Sequence, residues 1–288
     1  MQLANEFNPF QNNYSINFKG VLMDFSTPRI MGIVNLTPDS FFSGSRFQAE
    51  KEILLQVEKI LTEGADIIDL GAFSSQPNSD FISLEEEKDR LLSPLKQIAK
   101  EFPTAVLSID TYRSEIAKQS IQEGASIIND ISGGDLDEAM FPTIAALKVP
   151  YVMMHMKGTP KTMQESPSYT DVCQEIFKNF STKLIQLNKL GVNDVILDVG
   201  FGFGKTLAHN YTLLKKLNNF QSLQRPILVG LSRKGMIQKV IEVTSETALN
   251  GTTAAHVLAL QNGANILRVH DVKEAKEAIQ IVDFYQKQ

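Results

Sequence analysis

The sequence is short of several things, and each shortage narrows what it can be. Among 288 residues there is one cysteine, Cys173, and no tryptophan. A single thiol closes no internal disulfide and holds no metal by itself. A reducing compartment, the cytoplasm, is therefore the expectation. No stretch approaches the roughly 20 apolar residues of a bilayer span. Residues 1–20 show neither the basic start nor the apolar run of a secretory signal. Positive charge is not in excess: 28 Lys and Arg stand against 33 Asp and Glu, a net charge of −5. The basic residues are also scattered, which argues against a nucleic-acid footprint. The four histidines, His155, His209, His256 and His270, lack metal-site spacing.

What the sequence does have is a repeating unit. Eight short apolar runs recur: RIMGIVNL, ADIIDL, TAVLSID, ASIIND, PYVMMH, DVILDV, PILVGL and NILRVH. Continuous apolar character suggests strands buried on both faces, as in a parallel sheet. Segments of helical periodicity lie between them. Ile53, Leu54, Val57, Ile60 and Leu61 share one stripe, and 169–190 and 206–219 read as helices too. Gly64, Gly124, Gly191 and Gly263 each stand just before a strand, where glycine stops a helix by adopting the left-handed conformation. Eight βα units close most economically into a (β/α)8 TIM barrel; an open doubly wound sheet is the alternative. The segment SINFKGVLMDFSTP alternates enough to form a short hairpin under the barrel. With no linker in view, residues 1–288 read as one domain, 1–29 being an N-terminal extension and hairpin.

The stretch VILDVGFGFGKT, 195–206, imitates a phosphate loop. A Walker loop needs Gly-x-x-x-x-Gly-Lys-Ser/Thr. Counting back from Gly204, the first glycine should be residue 199, which is Val199. The dinucleotide fingerprint fails as well. Glycines after a barrel strand instead allow the backbone to approach a flat ligand closely or to turn with positive φ.

Polar residues mark the strand ends: Asn35, Asp69, Asp110, Asn129 with Asp130, His155 between two methionines, Asp198, Ser232-Arg233-Lys234 after the seventh strand, and Arg268 with His270. Barrel enzymes keep their chemistry at that end, and buried polar groups cost free energy unless they are paired. Asp110, Asn129 and Asp198 suit a ligand rich in N–H donors. Lys234 offers a donor to a carbonyl or ring nitrogen. Phe203 and Met154 or Met156 offer packing for a flat ring, and Arg268 can stack on it. The combination suits a pterin- or guanine-like heteroaromatic. Asn35, Arg268 and His270 form a second, anion-binding group, and the Ser-Arg-Lys turn leads into a helix start suited to an anion. No nucleophile–base pair is evident, which leaves Lys234 as a Schiff-base lysine on chemistry alone.

MGIVNLTPDSFF, LSIDTYRSEIA, GASIINDISGG, MMHMKGTPKTMQ, ILDVGFGFGKT, GLSRKGMI and NGTTAAHVLALQNGANILRVHDV, in order from about Ile30 onward, resemble the dihydropteroate synthase family. The resemblance implies a (β/α)8 barrel that joins 4-aminobenzoate to 6-hydroxymethyl-7,8-dihydropterin diphosphate and releases diphosphate in folate synthesis. Sulfonamides compete with the aminobenzoate in that family. It also implies that Asp110, Asn129, Asp198, Phe203, Lys234, Arg268 and Met154 bind the pterin. The diphosphate would fall to Asn35, Ser75, Arg268 and His270, with Mg2+ carried alongside and touched by Asn35. Phe41, Pro77, Ser232 and Lys234 would hold the aminobenzoate. Asn35, Asp39, Lys234, Arg268 and His270 would serve catalysis, in which diphosphate leaves before the amine attacks. The small molecules are the partners it implies; composition adds neither nucleic acid nor membrane, and the late helices rich in Ala and Leu, TTAAHVLALQNGA, suggest a second copy in a homodimer.

Two departures stand out. Val199 replaces the usual proline, and the second-strand loop reads Ala72-Phe73-Ser74-Ser75-Gln76-Pro77-Asn78 where Gly-Glu-Ser-Thr-Arg-Pro-Gly is usual. Ser75 keeps a hydroxyl; Gln76 loses a charge. A pterin-binding methyltransferase and a non-catalytic pterin-binding homologue are the competing readings.

Overall fold

The structure, a computed structural model, describes residues 14–18, 20–36, 46–73, 82–159, 161–163, 165 and 167–288. Strands β1 (Ser15–Phe18) and β2 (Val21–Asp24) pair antiparallel as a hairpin. Eight parallel strands follow: β3 (Arg29–Asn35), β4 (Ile67–Gly71), β5 (Val106–Asp110), β6 (Ile127–Asp130), β7 (Tyr151–Met154), β8 (Val195–Asp198), β9 (Ile227–Val229) and β10 (Ile266–Val269). They close into a barrel in sequence order, β10 pairing with both β9 and β3. The expected (β/α)8 barrel is therefore present, and the open sheet is not.

The outer ring begins with α1 (Arg46–Thr62), α2 (Leu84–Glu101), α3 (Ser114–Gln122), α4 (Met140–Leu147) and α5 (Val172–Lys189). It continues with α6 (Leu207–Lys215), α7 (Gly235–Ile241), α8 (Leu249–Gln261) and α9 (Val272–Gln286). Local chemistry starts several of them. The Ser83 hydroxyl accepts from the Glu86 N–H to cap α2, and the Asp171 carboxylate caps α5 through Cys173 and Gln174. Thr206 and His209 form a reciprocal capping box on α6. The four glycines expected to stop helices all carry positive φ, from +79° to +117°. The periodic segment 206–219 is not one helix. α6 ends at Lys215 and a 3-10 turn, Leu217–Leu223, takes over. Its buried Leu217 and Phe220 recur every three residues, the period of the tighter helix. Among the described residues, no helix is long and apolar enough to cross a membrane.

Three apolar layers organise the interior. The largest fills the space between helices and sheet and includes Val34, Leu70, Ile109, Leu197 and Val229. The second lies inside the barrel and takes Met31, Ile67, Ile127, Val152, Ile196, Leu228 and Ile266, with Val106 packed against it. All eight strands thus contribute, and Ile16, Phe18 and Phe25 of the hairpin segment join them, so the hairpin stoppers the N-terminal end of the barrel. A third layer lies beyond the C-terminal ends of the strands: Phe73, Tyr112, Ile131, Met154, Met156 and Met163.

Candidate active site

Strand alternation builds the site. If Met31, Ile67, Val106, Ile127, Val152, Ile196, Leu228 and Ile266 point inward, so do residues two and four further along. That next level holds Asp69, Ser108, Asn129, Met154, Asp198 and Arg268, with Asp110 one step above. Apart from Arg29 at the start of β3, which pairs with Asp24 and Asp66, the strands are apolar at the stoppered end, and most turn polar towards the other. The barrel axis therefore runs from an oily floor to a charged mouth.

Arg268 ties this mouth together. Its Nε donates to Asp69 Oδ2 at 2.6 Å and its Nη2 to Asp110 Oδ2 at 2.8 Å. Asn129 Nδ2 donates to the same Asp69 oxygen at 3.0 Å. Asp69 Oδ1, Asp110 Oδ1 and Ser108 Oγ are buried without a partner among the described residues. Unsatisfied acceptors of this kind cost about 1–3 kcal/mol each and invite a donor-rich ligand. Burial raises the Asp110 pKa to about 7, against the pull of Arg268; Asp69 adds repulsion. Burial works against the Arg268 charge too, but Asp69 and Asp110 outweigh it and raise its pKa.

The opposite wall is Asp198 and Lys234. Asp198 Oδ1 accepts from the Gly200 N–H at 2.8 Å. Burial raises the carboxyl pKa, with Lys234 opposing. Lys234 donates to the Phe201 carbonyl and places its ammonium 4.6 Å from the centre of the Phe203 ring. Burial lowers its pKa to about 8, although Asp198 supports the charge. Met154 neighbours Asp198 in strand register and shares the rim cluster with Phe203. The mouth thus offers carboxylates on two sides, an ammonium and apolar packing.

Beside β10 lies a smaller polar group. Ser232 Oγ and His270 Nδ1 are 3.0 Å apart, and the His270 N–H donates to the Ser232 hydroxyl at 3.3 Å. Where the Ser232 hydroxyl donates to Nδ1, the neutral imidazole keeps its proton on Nε2. Partial burial, then Arg268, hold the His270 pKa below its ordinary value. Asn35 is exposed at the end of β3, the strand beside β10. Arg233 is turned elsewhere. It has φ +56°, forks onto Asp271 at 2.8 and 2.9 Å and donates to the Ser245 and Glu246 carbonyls.

A sequence model of the family described as pterin binding enzyme matches residues 31–270. The dihydropteroate synthase of Escherichia coli (strain K12) is 40% identical over 271 residues, spanning 92% of this chain and 94% of that one. The chain belongs to the dihydropteroate synthase family. Solved structures agree. That of the Yersinia pestis dihydropteroate synthase with a sulfonamide drug superposes with a TM-score of 0.89 at 37% identity, covering 96% of this chain and all of that one. The Xanthomonas albilineans dihydropteroate synthase in complex with 7,8-dihydropteroate gives 0.85 at 31% identity, again covering 96% of this chain and all of the other.

Within this dihydropteroate synthase fold, the structure brings together Asp110, Asn129, Met154, Asp198, Phe203, Lys234 and Arg268 around one mouth, with Ser232 and His270 at its edge. Asp39, Phe41, Ser75, Gln76 and Pro77 lie outside the described residues. Two participants were not assigned from sequence. Asp69 was visible as a polar strand end, but only the fold shows it to be the common partner of Arg268 and Asn129. Lys205 was set aside with the failed Walker pattern, and it is almost wholly buried.

Proposed function

We propose that this mouth joins 4-aminobenzoate to 6-hydroxymethyl-7,8-dihydropterin diphosphate, giving 7,8-dihydropteroate and diphosphate in folate synthesis. One observation carries the reading. Asp110 and Asp198 are buried carboxylates, each with one oxygen bound by the protein and one left over, placed where a donor-rich ring would meet both. Asp198 takes the paired N–H groups of the aminopyrimidine edge and Lys234 the carbonyl side. Asp110 and Asn129 complete the ring contacts, with Phe203 and Met154 packing on it. A relative of the same fold crystallised with 7,8-dihydropteroate supports a pterin ligand for this barrel.

Catalysis in this reading is dissociative. The bond from the exocyclic carbon to the diphosphate oxygen breaks first, and the departing group keeps the electron pair. The dihydropterin ring stabilises the resulting cation, the aminobenzoate nitrogen attacks it, and that nitrogen then sheds a proton. The protein supplies position and charge rather than a nucleophile. Asn35, Arg268 and His270 receive the diphosphate, with Ser75. Asp39 shields the cation. Ser232 takes the aminobenzoate carboxylate, Phe41 and Pro77 flank its ring, and Lys234 also binds the aminobenzoate. No group of three or more potential His, Cys, Asp or Glu metal ligands exists among the described residues. Asn35 would hold a Mg2+ ion carried in with the diphosphate, with Asp39 helping to order it, and the ion would neutralise charge on the leaving group.

Residues 1–288 act as a single cytoplasmic domain in this proposal. Pairing into a homodimer is supported by the exposed Ile281, Phe284 and Tyr285 on α9 and Leu258 on α8. The test of function is diphosphate release measured with and without 4-aminobenzoate. Release that yields dihydropteroate only when aminobenzoate is present is expected. Methyl transfer, or binding with no turnover, points to the competing homologues.

A further inference from the structure

The glycine loop after β8 is not accounted for by the groups that face the ligand. Lys205 occupies the place of a phosphate-loop lysine in the sequence, yet it is only 3% exposed. Its ammonium lies 3.2 Å from His155 Nδ1, and donates to the His155 carbonyl at 3.2 Å and to the Phe203 carbonyl at 2.9 Å. An ammonium has three N–H donors, so the protein consumes them all and leaves none for a nucleotide.

The glycines make this possible. Gly200 and Gly204 have φ of +68° and +64°. A Cβ on Gly200 would come within 2.0 Å of the His155 carbonyl oxygen, and one on Gly204 within 2.4 Å of that of Lys157. The loop therefore lies flat on the segment that follows β7, and Lys205 fastens it there. On the other side, Lys234 donates to Phe201 and approaches the Phe203 ring. The loop is held between two lysines, and its first N–H, that of Gly200, orients Asp198.

We propose that Lys205 is a positioning residue for the pterin: clamped on His155 and the Phe203 carbonyl, its ammonium keeps the glycine loop in the one conformation that aims Asp198 and presents Phe203. The inference rests on the pterin reading of the mouth. It replaces the superficial phosphate-loop likeness with a different use of the same residues, in which the lysine binds the loop and not the ligand. The charged and titratable groups facing the ammonium are Asp198, Lys234 and His155, the last also feeling Lys157 and Lys183. Burial brings the Lys205 pKa down to about 7 and that of His155 to about 2, with the Lys205 charge as the next cause for the latter. The imidazole is therefore a neutral acceptor, and the clamp loosens as pH rises through neutrality.

The experiment compares wild type with K205M. Affinity for 6-hydroxymethylpterin is read by calorimetry, the two KM values by steady-state kinetics, and the fold by circular dichroism. K205M is expected to fold, to bind the pterin about tenfold more weakly or worse, and to raise the KM of the pterin diphosphate while that of 4-aminobenzoate moves less than twofold. The wild-type advantage should shrink between pH 6 and pH 8.5. Should K205M not fold, K205Q, which removes the charge and keeps N–H donors, is read by the same criteria. Unchanged pterin affinity in a folded variant overturns the inference, and so does an equal rise in both KM values. Wild type failing to bind the pterin at all would instead overturn the functional reading beneath it.

Discussion

Arg268 and Asp69, 199 residues apart in sequence, meet at 2.6 Å across the mouth of the barrel. Asp69 is completely buried and Arg268 is one-fifth exposed. The pair joins β10 to β4 over the intervening β3, so the guanidinium is already oriented before any ligand arrives.

The first prediction follows from that pair. In Asp69→Asn, Arg268 keeps Asp110 but loses a charged acceptor, and Asn129 is left to share a neutral amide oxygen with it. A hydrogen bond to a charged group contributes about 1.5–3 kcal/mol, so unfolding free energy should fall by about 2 kcal/mol. Because Arg268 is then less firmly held, kcat/KM should fall at least tenfold. Urea denaturation and steady-state kinetics measure the two. An unchanged denaturation midpoint would show that Arg268 is held by Asp110 alone.

Asp198→Asn puts an amide donor where the ring is to donate. Losing a charged hydrogen bond and leaving a mismatched donor together predict about a hundredfold weaker pterin binding or more. The fold should be intact. Calorimetry with a pterin checks this, and wild-type affinity in the variant would remove Asp198 from the site.

Chelation should separate activity from stability. If Mg2+ enters on the diphosphate as proposed, EDTA abolishes turnover and leaves the melting temperature of the ligand-free enzyme nearly unchanged. A large fall in melting temperature on adding EDTA would mean a structural metal.

His256 supplies a pH prediction. It is 2% exposed, its Nε2 has no partner among the described residues, and burial lowers its pKa to about 4 despite Asp271. The unfolded value is about 6.5. Above that, both states are neutral and the residue adds no pH dependence. As pH falls from 6.5 towards 4, the unfolded chain gains a proton that the folded one does not, and stability is lost. At about 1.4 kcal/mol per pKa unit, His256 should account for on the order of 3 kcal/mol across that window. The check is the difference in unfolding free energy between wild type and His256→Gln, measured at pH 7 and pH 4.5. A difference that does not change with pH refutes it.

Much of this was legible in the sequence, for a local reason. A doubly buried strand writes itself as an apolar run, and the residue that ends the run is placed by the same alternation. Asp110, Asn129, Asp198 and Arg268 could therefore be put on one rim without coordinates. The hairpin was legible too, because Ile16 and Phe18 alternate with polar neighbours. Pairing among the rim groups was not. Whether Arg268 turns to Asp69 or to Asn35 depends on distances across the barrel that strand order alone does not give. Lys205 was illegible for another reason: a lysine beside glycines looks the same in sequence whether its ammonium faces a ligand or the backbone.

The stoppered floor sets the traffic through this enzyme. With Ile16, Phe18 and Phe25 packed against the lowest inward residues of the strands, the barrel is a well with one opening. The groups proposed for the pterin sit down the shaft, and Ser232 and His270 stand at its lip. In the proposed reading both substrates use this one opening, and the pterin enters before the aminobenzoate covers it. A hairpin at the far end of the barrel thereby sets the expected order of addition, pterin first.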